Sequence, residues 1–205
     1  STTLDNAFST AGLVLADTRA KTGGQVSIAP GTGGTLQIGT GGITLAAGSP
    51  SATSISAPVI LGANNTWNVA DSTTTLTVSG AISETGGART LAKTGLGTLV
   101  LSGVNTFTGN VSIGSPSNGN IIITNSSALG VGPKTITITD NAGVAGNSSS
   151  VQLDGSGGNI TLASNISWAT SSALGNGGIV NLAGNNTING NFTLTSGGGS
   201  TQFTV

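Results

Sequence analysis

The 205 residues include 35 Gly, no Cys, His, Met or Tyr, and only 5% charged side chains, for a net charge of −1. Nothing in that balance supplies the basic stripe that nucleic-acid binding needs, and acyl transfer lacks both a His base and a thiol. A hydrophobic share of 36%, gathered in short bursts, and a shortage rather than a surplus of charge argue against disorder.

The bursts come in chain order as Leu13-Val14-Leu15, Val26-Ser27-Ile28, Leu36-Gln37-Ile38, Ile43-Thr44-Leu45, Val59-Ile60-Leu61 and Leu76-Thr77-Val78. They continue through Leu99-Val100-Leu101, Val111-Ser112-Ile113, Ile121-Ile122-Ile123, Ile136-Thr137-Ile138, Val151-Gln152-Leu153 and Ile160-Thr161-Leu162, and close with Val180-Asn181-Leu182, Phe192-Thr193-Leu194 and Phe203-Thr204-Val205. Nearly all read apolar–x–apolar, which in a strand sends two side chains to one face and the middle one to the other. Gly-Gly, Gly-Thr-Gly, Asn-Gly and Pro-Ser clusters between them are turn chemistry. Ser127–Gly130 and Ser172–Gly175 are expected to be loops, and no segment carries a helical stripe. No apolar run approaches the roughly 18 residues of a membrane helix.

Spacing separates the two all-β architectures that short strands allow, a sandwich and a parallel β-helix. Leu99–Ile113 recurs 81 positions later as Val180–Leu194, so that Leu101, Gly103, Asn105, Thr106 and Phe107 correspond to Leu182, Gly184, Asn186, Thr187 and Ile188. A weaker copy 40 positions earlier sets Leu61, Asn65, Thr66 and Trp67 against Leu101, Asn105, Thr106 and Phe107. Offsets of 40 and 81 are about two and four times a unit of roughly 20 residues, and recurrence at a fixed interval is the mark of a solenoid, in which like residues stack turn upon turn. With a unit of about 20–25 residues, the chain is expected to make roughly nine turns, a rod of about 45 Å at the strand spacing. It is expected to be one unit over 1–205, with no linker.

Residues 91–109, Leu91-Ala92-Lys93-Thr94-Gly95-Leu96-Gly97-Thr98-Leu99-Val100-Leu101-Ser102-Gly103-Val104-Asn105-Thr106-Phe107-Thr108-Gly109, resemble the autotransporter-associated β-strand repeat, L-x-K-x-G-x-G-T-L-x-L-S-G-x-N-T-[YF]-[ST]-G. The similarity extends more weakly over about 55–200. It implies a right-handed parallel β-helix in a secreted or surface-displayed bacterial protein: a passenger stalk, an adhesin shaft or an extracellular fibre subunit. The chain has no charged-then-apolar leader at its N-terminus and no membrane barrel, so a mature product or an excised segment is expected.

Each polar or aromatic motif has a structural reading. Asn65, Asn105 and Asn186 are expected to be turn residues whose side chains serve backbone groups and stack as a ladder, and Trp67, Phe107 and Ile188 to fill the interior or cap a corner rather than form a sugar platform. The acids Asp5, Asp17, Asp71, Glu84, Asp140 and Asp154 are far apart. Asp140 and Asp154 could meet across one turn, but hydrolysis needs two carboxylates about 5 to 9.5 Å apart and a subsite beside them. No G-G-x-G-x-D calcium repeat occurs. The rows of Thr in Thr135-Ile136-Thr137-Ile138-Thr139 resemble an ice-binding surface, yet Thr favours strands in any case and other turns carry mixed residues. Sequons such as Asn110-Val111-Ser112 and Asn165-Ile166-Ser167 are expected by chance in this composition.

The expectation is therefore a structural scaffold and not an enzyme, with no catalytic, cofactor-binding or metal site, located outside a bacterial cell. Its partners would be further repeats or a second copy at either end, with surface glycans or other cells possible, no nucleic acid and no membrane insertion. The alternatives are a glycan- or ice-binding β-helix module and, further off, a carbohydrate-active β-helix enzyme.

Overall fold

The computed structural model describes residues 1–16, 25–114, 119–139, 149–171, 178–196 and 202–204. Asp17, Arg19, Lys21, Asp140, Ser172–Gly175 and Val205 lie outside the described residues. All regular structure is β apart from one short 3₁₀ turn, Gly155–Gly157. Every strand pair is parallel and joins residues one circuit apart, so the chain winds as a β-solenoid.

Three walls make each circuit. The first is a nine-stranded sheet: Thr2–Leu4, Gln25–Pro30, Ala52–Ile55, Thr75–Val78, Thr98–Leu101, Asn120–Ile123, Ser150–Asp154, Gly178–Ala183 and Gln202–Thr204. The second begins in the long strands Ala7–Leu15 and Thr35–Leu45 and continues through Val59–Leu61 and Ile82–Glu84. It loses strand form around Phe107 and Leu129 and resumes as Thr161–Leu162 paired with Thr187–Ile188. The third takes the ends of the two long strands, then Asn65–Val69, Leu91–Thr94, Val111–Gly114, Lys134–Thr139, Ile166–Ser171 and Phe192–Ser196.

Strand alternation follows the expected burial. Leu76 and Val78, Leu99 and Leu101, and Ile121 and Ile123 are buried, while Thr77, Val100 and Ile122 between them face out. Stacked in register, Leu76, Leu99 and Ile121 form one aliphatic ladder and Val78, Leu101 and Ile123 the next. Such columns remove apolar surface from water at about 25 cal/mol per Å². The sealed interior runs from Ile28 to Ile179, with Trp67, Phe107 and Trp168 fully enclosed.

About six turns are sealed in this way, and the expected nine are not matched. Circuits differ in length, and several are longer than the repeat unit read from the sequence. Thr98 pairs with Asn120 after a short circuit, but Asn120 pairs with Ser150 after a distinctly longer one. The offset of 81 is thus three circuits, not four. Leu99 stacks successively with Ile121, Val151 and Ile179, and Ile179 stands one position short of Val180, its match in the sequence repeat.

The missing position is a bulge. Leu153 pairs with Asn181 and Asp154 with Ala183, so Leu182 is pushed out of the ladder and stands 49% exposed. Leu101 and Leu182 therefore do not occupy equivalent places, whereas Asn105 and Asn186 do. The offset of 40 fails differently, because Asn65 opens a strand of the third wall and is in register with Leu91 and then Val111, not with Asn105 of the second. Since Leu182 touches water rather than core, Leu182→Ser is expected to change stability by less than about 0.5 kcal/mol. Denaturant midpoints for the two chains would check it.

Candidate functional site

The described structure concentrates its unusual chemistry in the segment that carries the autotransporter-like motif. Leu91 and Lys93 point inward on the third wall, Leu99 and Leu101 on the first, and Asn105 and Phe107 on the second. Glycines mark the corners. A Cβ on Gly103 would run into the Gly80 carbonyl oxygen one turn below, so the two corners can only stack bare.

Asn105 is fully buried and replaces a missing rung of the ladder. Its Oδ1 accepts the Ile82 amide at 2.8 Å, and its Nδ2 donates to the Ala128 carbonyl at 2.6 Å, joining the turns below and above. Asn186 repeats the accepting half, taking the Ile160 amide at 2.8 Å, but its Nδ2 donates to Leu153 in the turn below and to Ala183 and Asn181 in its own turn, and to no described turn above. Asn65 serves the backbone too, donating to Gly39 and Ala63, but from a strand. The expectation that these side chains satisfy backbone groups holds at each position; two parts of it are corrected, since Asn65 stands in a strand and the three do not stack as a ladder, Asn65 being in register with Leu91 and Val111.

Two lysines enter the same interior, a feature the composition did not announce. Lys93 stacks between Trp67 and Ile113 in a ladder and is 1% exposed. Its Nζ donates to the carbonyls of Thr94 at 2.9 Å and Gly95 at 2.8 Å, where the chain turns the corner. Lys134 donates to Phe107 at 2.7 Å and Leu129 at 2.9 Å, with its Nζ 4.2 Å from the centre of the Phe107 ring. Burial removes water from both ammonium groups and pushes the Lys93 amine down to about 7. Lys134 falls to about 8, the Glu84 charge opposing part of the burial effect.

Glu84 sits on the second wall near Lys134. Its Oε2 accepts the Arg89 amide at 2.7 Å, and its Oε1 accepts the amide and hydroxyl of Thr108 at 2.9 and 2.5 Å. Partial burial would raise this carboxyl, but those hydrogen bonds outweigh it and hold it below the usual carboxylate range.

The other described acids serve turns. Hydrogen bonds from the hydroxyl and amide of Ser156, the amide at 3.1 Å, keep the Asp154 carboxyl below the ordinary range. Asp71 accepts the amide and hydroxyl of Thr73. The pairing of Asp140 with Asp154 lies outside the described residues. Among the described residues no three acidic side chains gather, and no helix is long and apolar enough to cross a membrane. Surface hollows are shallow: one of about 230 Å³ opens on the third wall beside Ser112 and Gly114, and one of about 280 Å³ on the second beside Ser126 and Thr161. What this arrangement does chemically is bind backbone to backbone across turns.

No family model matches the chain, and neither the curated proteins nor the solved structures include a match to it. The resemblance to the autotransporter-associated repeat rests on the sequence of residues 91–109.

Proposed function

We propose that this chain is a structural scaffold, a segment of right-handed β-helix serving as the stalk or fibre of a secreted or cell-surface bacterial protein. The observation that carries the reading is the continuous column: parallel ladders link the described turns, and their buried apolar side chains form one cluster. Right-handedness is favoured by the rule that governs nearly all parallel crossover connections. Surface charge is sparse, so little in the rod responds to salt.

Both ends of the column suit continuation into further turns, of the same polypeptide or a neighbour. Phe8 is 51% exposed at one end; Phe192 and Leu194 are 37% and 69% exposed at the other, although they stand in inward-facing columns. The strands there have a described neighbour on one side only. Open strand edges flanked by apolar side chains recruit additional strands. X-ray scattering over a concentration series is expected to show particles lengthening at constant cross-section, and Phe192→Glu with Leu194→Lys is expected to suppress it. Particles that stay one length in the unaltered chain at millimolar concentration would remove self-association from the reading.

A second reading, an ice-binding face, is favoured by one observation. Ala92, Ser112, Thr137 and Ala169 form one outward column of the third wall, and Gly114, Thr139 and Ser171 part of another, all small and uncharged. Thermal hysteresis decides it; none is expected from a scaffold.

A further inference from the structure

Lys93 and Lys134 lie in one stretch of the column whose other inward residues are, Asn105 apart, apolar, and among the described residues neither has a carboxylate in contact. Around Lys93 the inward residues of the adjacent turns are Trp67 and Val69 below and Val111 and Ile113 above, with Leu91 beside it and Leu76, Leu99 and Ile82 on the facing walls. None titrates. Around Lys134 the groups are the Phe107 ring, Leu129, Ile136 and, one turn above, Ile166. The one carboxylate that acts on it is Glu84, which already accepts three hydrogen bonds from Arg89 and Thr108. Arg89 spends its guanidinium on the carbonyls of Thr85 and Gly86 outside the core.

Each Nζ makes two hydrogen bonds, both to backbone carbonyls. A neutral amine has two N–H donors, so every one of these bonds survives loss of the third proton. An ammonium carries a further donor and a full charge into a place where Lys93 meets no opposite charge and Lys134 meets only the Glu84 field and the Phe107 ring, which do not make up for the lost water. The site is built for the amine.

We propose that Lys93 and Lys134 make turns 75–139 a proton-sensitive joint in the rod, firm when both side chains are neutral and loosened when they are protonated. The carbonyls they hold lie at the corner between the third and first walls, at Thr94 and Gly95, and along the second wall, at Phe107 and Leu129. Loosening would therefore act at that corner and where the second wall lacks strand form. The turns on the N-terminal side, 25–61, contain no described Lys or Arg and lack the device.

The sign follows from proton counting. Both amines are held below the ordinary lysine value, so between about pH 7 and 10 the unfolded chain binds more protons than the folded one. Stability rises with pH through that window and is lowest below about pH 7, where both buried amines carry their charge.

The test uses the whole chain with ¹³Cε-labelled lysine, whose three resonances belong to Lys21, Lys93 and Lys134 and are assigned with Lys→Met variants. Two are expected to titrate with midpoints at least one unit below the free value of about 10.4. Amide hydrogen exchange, corrected for its intrinsic pH dependence, is expected to show protection in 91–139 falling about tenfold or more from pH 9 to pH 6, with 36–61 unchanged. Lys93→Met combined with Lys134→Met should abolish that local pH dependence. Normal midpoints for all three lysines would overturn the proposal, and so would protection in 91–139 that does not respond to pH.

Discussion

Replacing Gly95 by alanine is expected to cost about 3–5 kcal/mol, enough to unfold many domains of this size. Two penalties add. Gly95 holds φ at +81°, a conformation that costs an L side chain about 1–3 kcal/mol. The new methyl would also run into the Val69 carbonyl oxygen and stand 2.5 Å from its carbon, one turn below. Those atoms belong to backbone that is itself paired, so the turn cannot yield without breaking rungs. Gly48 carries the first penalty alone, since its φ is +84° with no atom within 4 Å of the same methyl. Gly48→Ala is expected to cost about 1–2 kcal/mol. Urea unfolding of the two variants measures the second penalty by difference; equal losses would mean that the corners breathe and that stacking does not select glycine.

That comparison also shows what a single chain can reveal. The walls were legible because Leu99-Val100-Leu101 or Val151-Gln152-Leu153 each declare two inward side chains, and the choice of parallel stacking was legible because like segments recur. The length of a circuit was not. Corners bear no ladder, so they absorb insertions freely: Ile123 to Val151 takes many more residues than Leu101 to Asn120, while both walls keep register. The offset of 81 accordingly divides by three rather than four. A bulge at Leu182 then shifts one wall against another without disturbing Asn186.

Strands with a polar residue inside were harder to see. Leu91–Thr94 contains a buried Lys, Asn65–Val69 a buried Asn and Ile166–Ser171 a buried Thr. Each breaks the apolar alternation that marks a strand. The Lys and the Asn are tolerated because backbone carbonyls meet them, Thr94 and Gly95 at a corner that the sequence does not mark and Gly39 far away in sequence. Lys93 two positions after Leu91 did carry a signal, the period of two, but its charge argued for the wrong face.

Asn105→Ala is expected to cost about 2–4 kcal/mol, a loss unusual for a residue that touches so little apolar surface. The substitution removes the acceptor of the buried Ile82 amide and the donor to the Ala128 carbonyl together. Each buried group left without a partner costs about 1–3 kcal/mol, and no water reaches a side chain that is 0% exposed. A hydrogen bond in the middle of a regular strand would be backed by a full ladder. Here the second wall keeps only scattered backbone bonds, among them the Asn105 amide to the Ser127 carbonyl at 3.2 Å and the Thr106 amide to the Ile82 carbonyl at 2.8 Å. The carboxamide adds a link to each neighbouring turn. Asn186 accepts a backbone amide in the same way but makes no bond to a described turn above, and it is half-buried near the end of the sealed column, where water can replace it. Asn186→Ala should therefore lose only about 1 kcal/mol. The ratio of the two losses reads out how far the asparagine acts as a structural rung rather than as a surface turn residue, and similar small losses at both positions would return Asn105 to an ordinary corner.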